Sequence, residues 1–179
     1  MRIRFTLLSF FIVVMCAKIA APSDGKTLRS EKGHFAFTCP TIWRVREDGQ
    51  KTFEIINFPE SEILKGVGLS KRGASITVVR APANIASIEN WLARDAARFG
   101  VKGQHVIDLT HLAHSSCKRV TKAEWDSEVG PNTLTHQTSL YCQTDEQLFR
   151  IELTNWSDDP KQKDLQQTVL EIAASFKSW

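Results

Sequence analysis

From Leu148 to Trp156 apolar and polar residues alternate, with Phe149, Ile151 and Leu153 on one face and Arg150, Glu152 and Thr154 on the other. A period of two over this length describes a strand with one face on a core and the other toward water. A few residues later the period changes. Leu165, Val169, Ile172, Ala173 and Phe176 fall on one stripe of a helix, and such a stripe needs an apolar surface to cover. An antiparallel sheet with one buried face supplies it. This pairing of a one-sided strand with a one-sided helix restricts the chain to a mixed α+β class. Pro160 suits the helix's first turn, with Ser157 or Asp158 as its cap.

The rest of the chain carries more of both elements. His34–Cys39 alternates around two phenylalanines and stops at Pro40. Residues 42–46 and 52–58 read as strands joined across Asp48-Gly49, a pair that favours tight hairpins. Residues 60–73 hold Gly66, Gly68 and Gly73 and read as a loop. Ser75–Arg80 is rich in β-branched residues and ends before Pro82. A first helix is expected over Ser87–Phe99, with Ser87 as N-cap and Gly100 as stop. Its stripe is Ile88, Trp91, Leu92, Asp95, Ala96 and Phe99, in which Asp95 is the polar exception. Gln104–Leu112 reads as a ragged strand, and Cys117–Glu128 with Thr133–Gln143 as a long hairpin.

Residues 1–21 set the expected compartment. A basic start (Arg2, Arg4), an apolar run from Phe5 to Cys16 and small residues at 17–21 follow the layout of a secretory signal peptide. The run is shorter than the roughly 20 residues that span a bilayer. An uncleaved N-terminal anchor is the alternative. The expected division is a signal peptide over 1–21, a leader over 22–33 and one domain over 34–179. The expected location is exported, either periplasmic or secreted. No later segment suggests a membrane span in the mature chain. The whole chain carries 23 basic and 20 acidic residues, but Arg2, Arg4 and Lys18 lie in the segment to be removed. The mature balance is 20 against 20, which leaves no general electrostatic case for a nucleic-acid partner.

Export into an oxidising compartment permits disulfides. After cleavage Cys39, Cys117 and Cys142 remain. A hairpin centred between Val129 and Gly130 places Cys117 opposite Cys142, and a turn one residue later keeps them diagonal on one face. These two are the expected disulfide, near the core because Cys142 shares a face with Leu134 and Leu140. The other possibility is three buried, unpaired thiols. Cys39 lies between Thr38 and Pro40, which offer no activating base.

Other chemistry is sparse. His111 and His114 lie three apart, and His105 and His136 could add metal ligands. In a strand and loop that spacing loses its meaning, and solvated surface histidines are expected instead. Glu124, Asp126 and Glu128 read as an acidic strand rim. Asn155-Trp156-Ser157 fits a glycosylation acceptor. No nucleophile elbow, zinc-protease or phosphate-loop motif occurs. No catalytic, cofactor-binding or metal set is therefore assigned, and no cofactor is expected.

Phe35-Ala36-Phe37-Thr38-Cys39-Pro40-Thr41-Ile42-Trp43-Arg44-Val45 resembles the opening of PsbP-like domains, F-x-F-x-x-P-x-x-W-x-V. Ser87-Ile88-Glu89-Asn90-Trp91-Leu92 resembles their first helix, and the strand, turn and helix ending at Ala174-Ser175-Phe176-Lys177 resembles their close. The resemblance covers about residues 34–177. It implies an antiparallel sheet flanked by helices, an α/β/α sandwich. The family spans photosystem, nuclear-import, envelope and secretion proteins and lends no shared catalytic set.

The expected role is a non-enzymatic exported binding or accessory protein, acting through contacts with a protein partner. One alternative is a small-ligand-binding protein or enzyme with a cleft lined by Trp43, Trp125 or Trp156. Another is a periplasmic immunity-type inhibitor.

Overall fold

The computed structural model describes residues 24–49, 51–65, 69–99, 105–109, 112, 115–130 and 133–179. Its strands are β1 (Gly25–Ser30), β2 (Phe35–Pro40), β3 (Arg44–Asp48), β4 (Thr52–Ile56), β5 (Ser75–Arg80), β6 (His105–Leu109), β7 (Arg119–Gly130), β8 (Thr133–Gln143), β9 (Leu148–Trp156) and β10 (Lys177–Ser178). The helices are α1 (Ile88–Phe99) and α2 (Gln162–Ser175). Seven strands form one antiparallel sheet in the order β3-β4-β5-β9-β8-β7-β6, and β1-β2-β10 form a second. The expected signal peptide lies outside the described residues, as do Gly66, Gly68, Gly100, Gln104, His111 and His114.

Each face of the large sheet has its own helix. The expected stripe of α2 (Leu165, Val169, Ile172, Ala173, Phe176) is buried on Leu140, Phe149, Ile151 and Leu153. The small sheet closes the same core. Phe35 of β2 meets Phe53, Phe149 and Phe176, and Phe37 meets Phe53, with ring centroids 5.5–5.7 Å apart. Each such side chain contributes about 1.5–3 kcal/mol by leaving water. On the opposite face Ile88 and Trp91 of α1 pack on Ala123, Trp125, Tyr141 and Leu148. The result is the mixed α+β arrangement expected, with helices on both faces of an antiparallel sheet.

Three local expectations change. Residues 25–30, expected as leader, are β1, because Leu28 packs on the core and every residue of the segment pairs with β2. The β1–β2 turn needs glycine at 33, where a Cβ would overlap the Phe35 ring, and His34 takes a left-handed φ of 57°. Helix α2 starts later than Ser157 or Asp158 would allow. The chain first turns on bonds from Asp159 N to Trp156 O and from Gln162 N to Asp159 O, and Lys161 occupies the N-cap position. In the long hairpin a bulge lies at Glu128/Gly130, and Val120, not Cys117, stands opposite Cys142. The bridge still joins Cys117 to Cys142, with Cα atoms 5.2 Å apart, because Cys117 approaches from the loop before β7.

Candidate functional site

Asp95, the polar exception on the α1 stripe, is the centre of a buried network. It is 4% exposed, accepts a 2.7 Å bond from Tyr141 Oη and also accepts from Arg150 Nη1. Arg150 is itself 8% exposed; its Nε lies 3.3 Å from Glu152 and its guanidinium lies over the Trp91 ring. Burial opposes the charge on Arg150, but the carboxylates of Glu152 and Asp95 outweigh it and raise its pKa. Burial, and then donation to Asp95, push the Tyr141 phenol well above its ordinary value. A buried charge needs such partners. The network pins α1 to β8 and β9.

Beside α1 the same sheet face stays polar. Strand register aligns Glu54 of β4, Thr77 of β5, Glu152 of β9 and Ser139 of β8 in one row across the sheet. With strands about 4.8 Å apart, Glu54 and Glu152 stand about 10 Å apart on either side of Thr77. Arg46 lies 3.0 Å from Glu54, and Ser139 Oγ donates to Glu152 at 3.3 Å. Burial raises the pKa of Glu54, against the pull of Arg46. The row runs out to β3, an edge strand whose five residues are all exposed. Ile42 just before it is 68% exposed and Val45 within it 42%. The edge is guarded by a bulge between Val45 and Glu47 and by Lys32 Nζ, which donates to Asp48 O at 3.1 Å. Such devices discourage indiscriminate strand pairing.

The residues flagged in the sequence fall in separate places. Cys39 is buried and free, and burial pushes its thiol up to about 11. His136 is not a solvated surface histidine. Its Nδ1 lies 2.8 Å from Asp126, while Nε2 faces Gln166 Nε2 at 3.3 Å and Glu124 at 3.7 Å. Glu124 also takes Lys122 Nζ at 3.0 Å and Gln166 Nε2 at 2.5 Å. Glu124 therefore belongs to a half-buried polar seam between β7, β8 and α2, whereas Asp126, though it holds His136, and Glu128 are exposed and keep the character of an open rim. The partners around Nε2 leave His136 the geometry of an anchor. No set of three or more metal-ligating side chains converges among the described residues. Asn155 is fully buried, and its Nδ2 donates to Trp156 O at 2.8 Å, so the glycosylation acceptor is not presented by the fold.

The tryptophans do not share a cleft. Trp43 lies in the main core and Trp125 beneath α1. Trp156 packs beside Ile56, Phe58 and Leu69 and lines a cavity of about 480 Å³ with Lys71, Arg72 and Lys161. Sequence reasoning passed over Glu54, Glu152 and Arg46, because an outward polar position on a strand carries no signal of alignment with its neighbours.

No protein-family model matches the chain, and no curated protein matches it. Solved structures do. The Ran-binding protein Mog1p of Saccharomyces cerevisiae superposes with a TM-score of 0.57 at 12% identity, over 86% of this chain and 95% of its own. A Bacteroides thetaiotaomicron protein superposes with a TM-score of 0.55 at 14% identity, over 87% of this chain. This chain spans about half the length of that protein, 49%. PsbP of the cyanobacterium Synechocystis sp. gives a TM-score of 0.48 at 12% identity, over 89% of this chain and 95% of its own. At these identities the likeness is one of fold: the chain has a Mog1-like fold.

Proposed function

We propose that this chain is an exported, non-enzymatic binding or accessory protein that works through protein contacts made at its β3 edge. One observation carries this. The edge strand is exposed along its whole length, with Ile42 and Val45 uncovered, beside the charged row of Arg46, Glu54 and Glu152. Uncovered apolar residues rimmed by charge suit a protein interface made through side chains. The naming of Mog1p, which shares the fold, as a Ran-binding protein supports a role in protein contacts. The buried Cys117–Cys142 bridge and the leader-like first 21 residues support export.

The test is affinity capture from a cell-envelope extract with wild-type protein and with Ile42→Asp/Val45→Asp. Both positions are exposed, so the variant should stay folded. Wild type should recover a partner that the variant loses. A control, Val106→Asp/Ile107→Asp on the opposite edge strand, should retain it. Recovery of nothing above background, or equal recovery by the β3 variant, would refute the proposal.

A further inference from the structure

The cavity at Trp156 goes beyond a protein-contact role, and its chemistry is distinct from that of the β3 edge. Three segments build it: the loop before β5, the last residue of β9 and the turn into α2. Trp156 forms a fixed aromatic wall. Its Nε1 donates to Ser70 O at 2.7 Å, and its ring packs beside Ile56, Phe58 and Leu69. Pro160 adds a second rigid apolar surface.

Around that wall stand Lys71, Arg72 and Lys161, all exposed, and none makes an ion pair with another described residue. Two carboxylates also lie here. Asp159 is committed to the turn, where its Oδ1 accepts the Lys161 backbone N–H at 2.8 Å, and Asp158 is exposed. The local balance is one net positive charge, with three cationic heads free to close on a ligand. The volume, about 480 Å³, falls in the range of small-molecule sites.

We infer that this cavity binds a small aromatic monoanion, its ring against Trp156 and its carboxylate or sulfonate among Lys71, Arg72 and Lys161. A flat body would gain from stacking on the indole, and an anionic group from charge-assisted bonds to the two ammonium groups and the guanidinium. A ligand with only one of these features would lose the other half of the site.

The experiment follows the Trp156 indole N–H signal of the ¹⁵N-labelled full chain, assigned with Trp156→Phe. Three probes are titrated: 2-naphthoate, 2-naphthalenemethanol and acetate. Naphthoate should shift the signal saturably, and the neutral alcohol and acetate should each bind at least tenfold more weakly. The Lys71→Ala/Arg72→Ala/Lys161→Ala variant changes only exposed side chains and should weaken naphthoate at least tenfold, with an unchanged circular dichroism spectrum. No saturable shift with naphthoate, equal affinity in the triple variant, or acetate binding as tightly as naphthoate would each overturn the inference.

Discussion

Removal of Asp95 tests the physical account of how α1 is held. In Asp95→Ala, Tyr141 Oη and Arg150 Nη1 lose their shared acceptor. Arg150 stays 8% exposed with Glu152 as its remaining carboxylate, at 3.3 Å. Breaking a buried pair from one side costs about 3–5 kcal/mol, because the other charge stays buried. With a urea m-value of about 2 kcal/mol per molar, the unfolding midpoint should fall by about 2 M. The melting temperature should fall by about 10 °C, at roughly 2–4 °C per kcal/mol for a chain of this size. The double variant Asp95→Leu/Arg150→Met removes both charges and keeps the volume. It should be more stable than Asp95→Ala, within about 1–2 kcal/mol of wild type. Equilibrium urea denaturation followed by tryptophan fluorescence measures all three proteins. A midpoint for Asp95→Ala within about 0.5 M of wild type would refute the buried-pair account. So would a double variant no more stable than the single.

Further predictions concern titration and covalent structure. The folded pKa of Tyr141 is raised above its unfolded value of 10.0, so its contribution to stability is full below pH 10 and fades as the pH climbs above it. Tyr141→Phe should flatten the stability profile above pH 10, and an unchanged alkaline loss would count against the assignment. Reduction of the Cys117–Cys142 bridge, which spans a sequence separation of 25, should cost about 3.5 kcal/mol on the loop-entropy estimate, read from thermal melts with and without reductant. Mass spectrometry of non-reduced peptides should show this crosslink, and one containing Cys39 would contradict it. Burial raises Cys39 to about 11, so a thiol reagent at pH 8 should label it only as fast as the protein unfolds.

Periodicity made the core legible. Leu165, Val169, Ile172, Ala173 and Phe176 stand out because burial on one helix face imposes a pattern that survives in one dimension. Asp95 stood out for the same reason, as a polar residue on an apolar stripe, although its partners 46 and 55 positions away could not be read. Tertiary contact overrides local signals elsewhere. Strand β1 has too few apolar residues to announce itself and exists because β2 offers a partner. The start of α2 is set by bonds to Trp156 and Asp159 rather than by the cap-forming Ser157 or Asp158. The row of Glu54, Thr77 and Glu152 needs the registers of three strands at once, and no single segment contains them. The Cys117–Cys142 pairing follows in the sequence from a hairpin register the chain does not adopt, since Gly130 pairs with Thr133 and the turn therefore lies two residues beyond Val129-Gly130.

The bridge also has a mechanical meaning. It closes the β7–β8 hairpin at the base, so tension along the backbone passes from Cys117 to Cys142 through sulfur. The 25 steps between them, about 85 Å of extended chain at roughly 3.4 Å each, cannot be drawn out. Pulled as a thread, the oxidised protein is shorter than its residue count by that length and carries a side loop of two strand thicknesses. A narrow pore that admits a single extended chain would stall there. Passage as a thread therefore has to precede oxidation, and a single-molecule stretching trace should gain about 85 Å of contour when reductant is added.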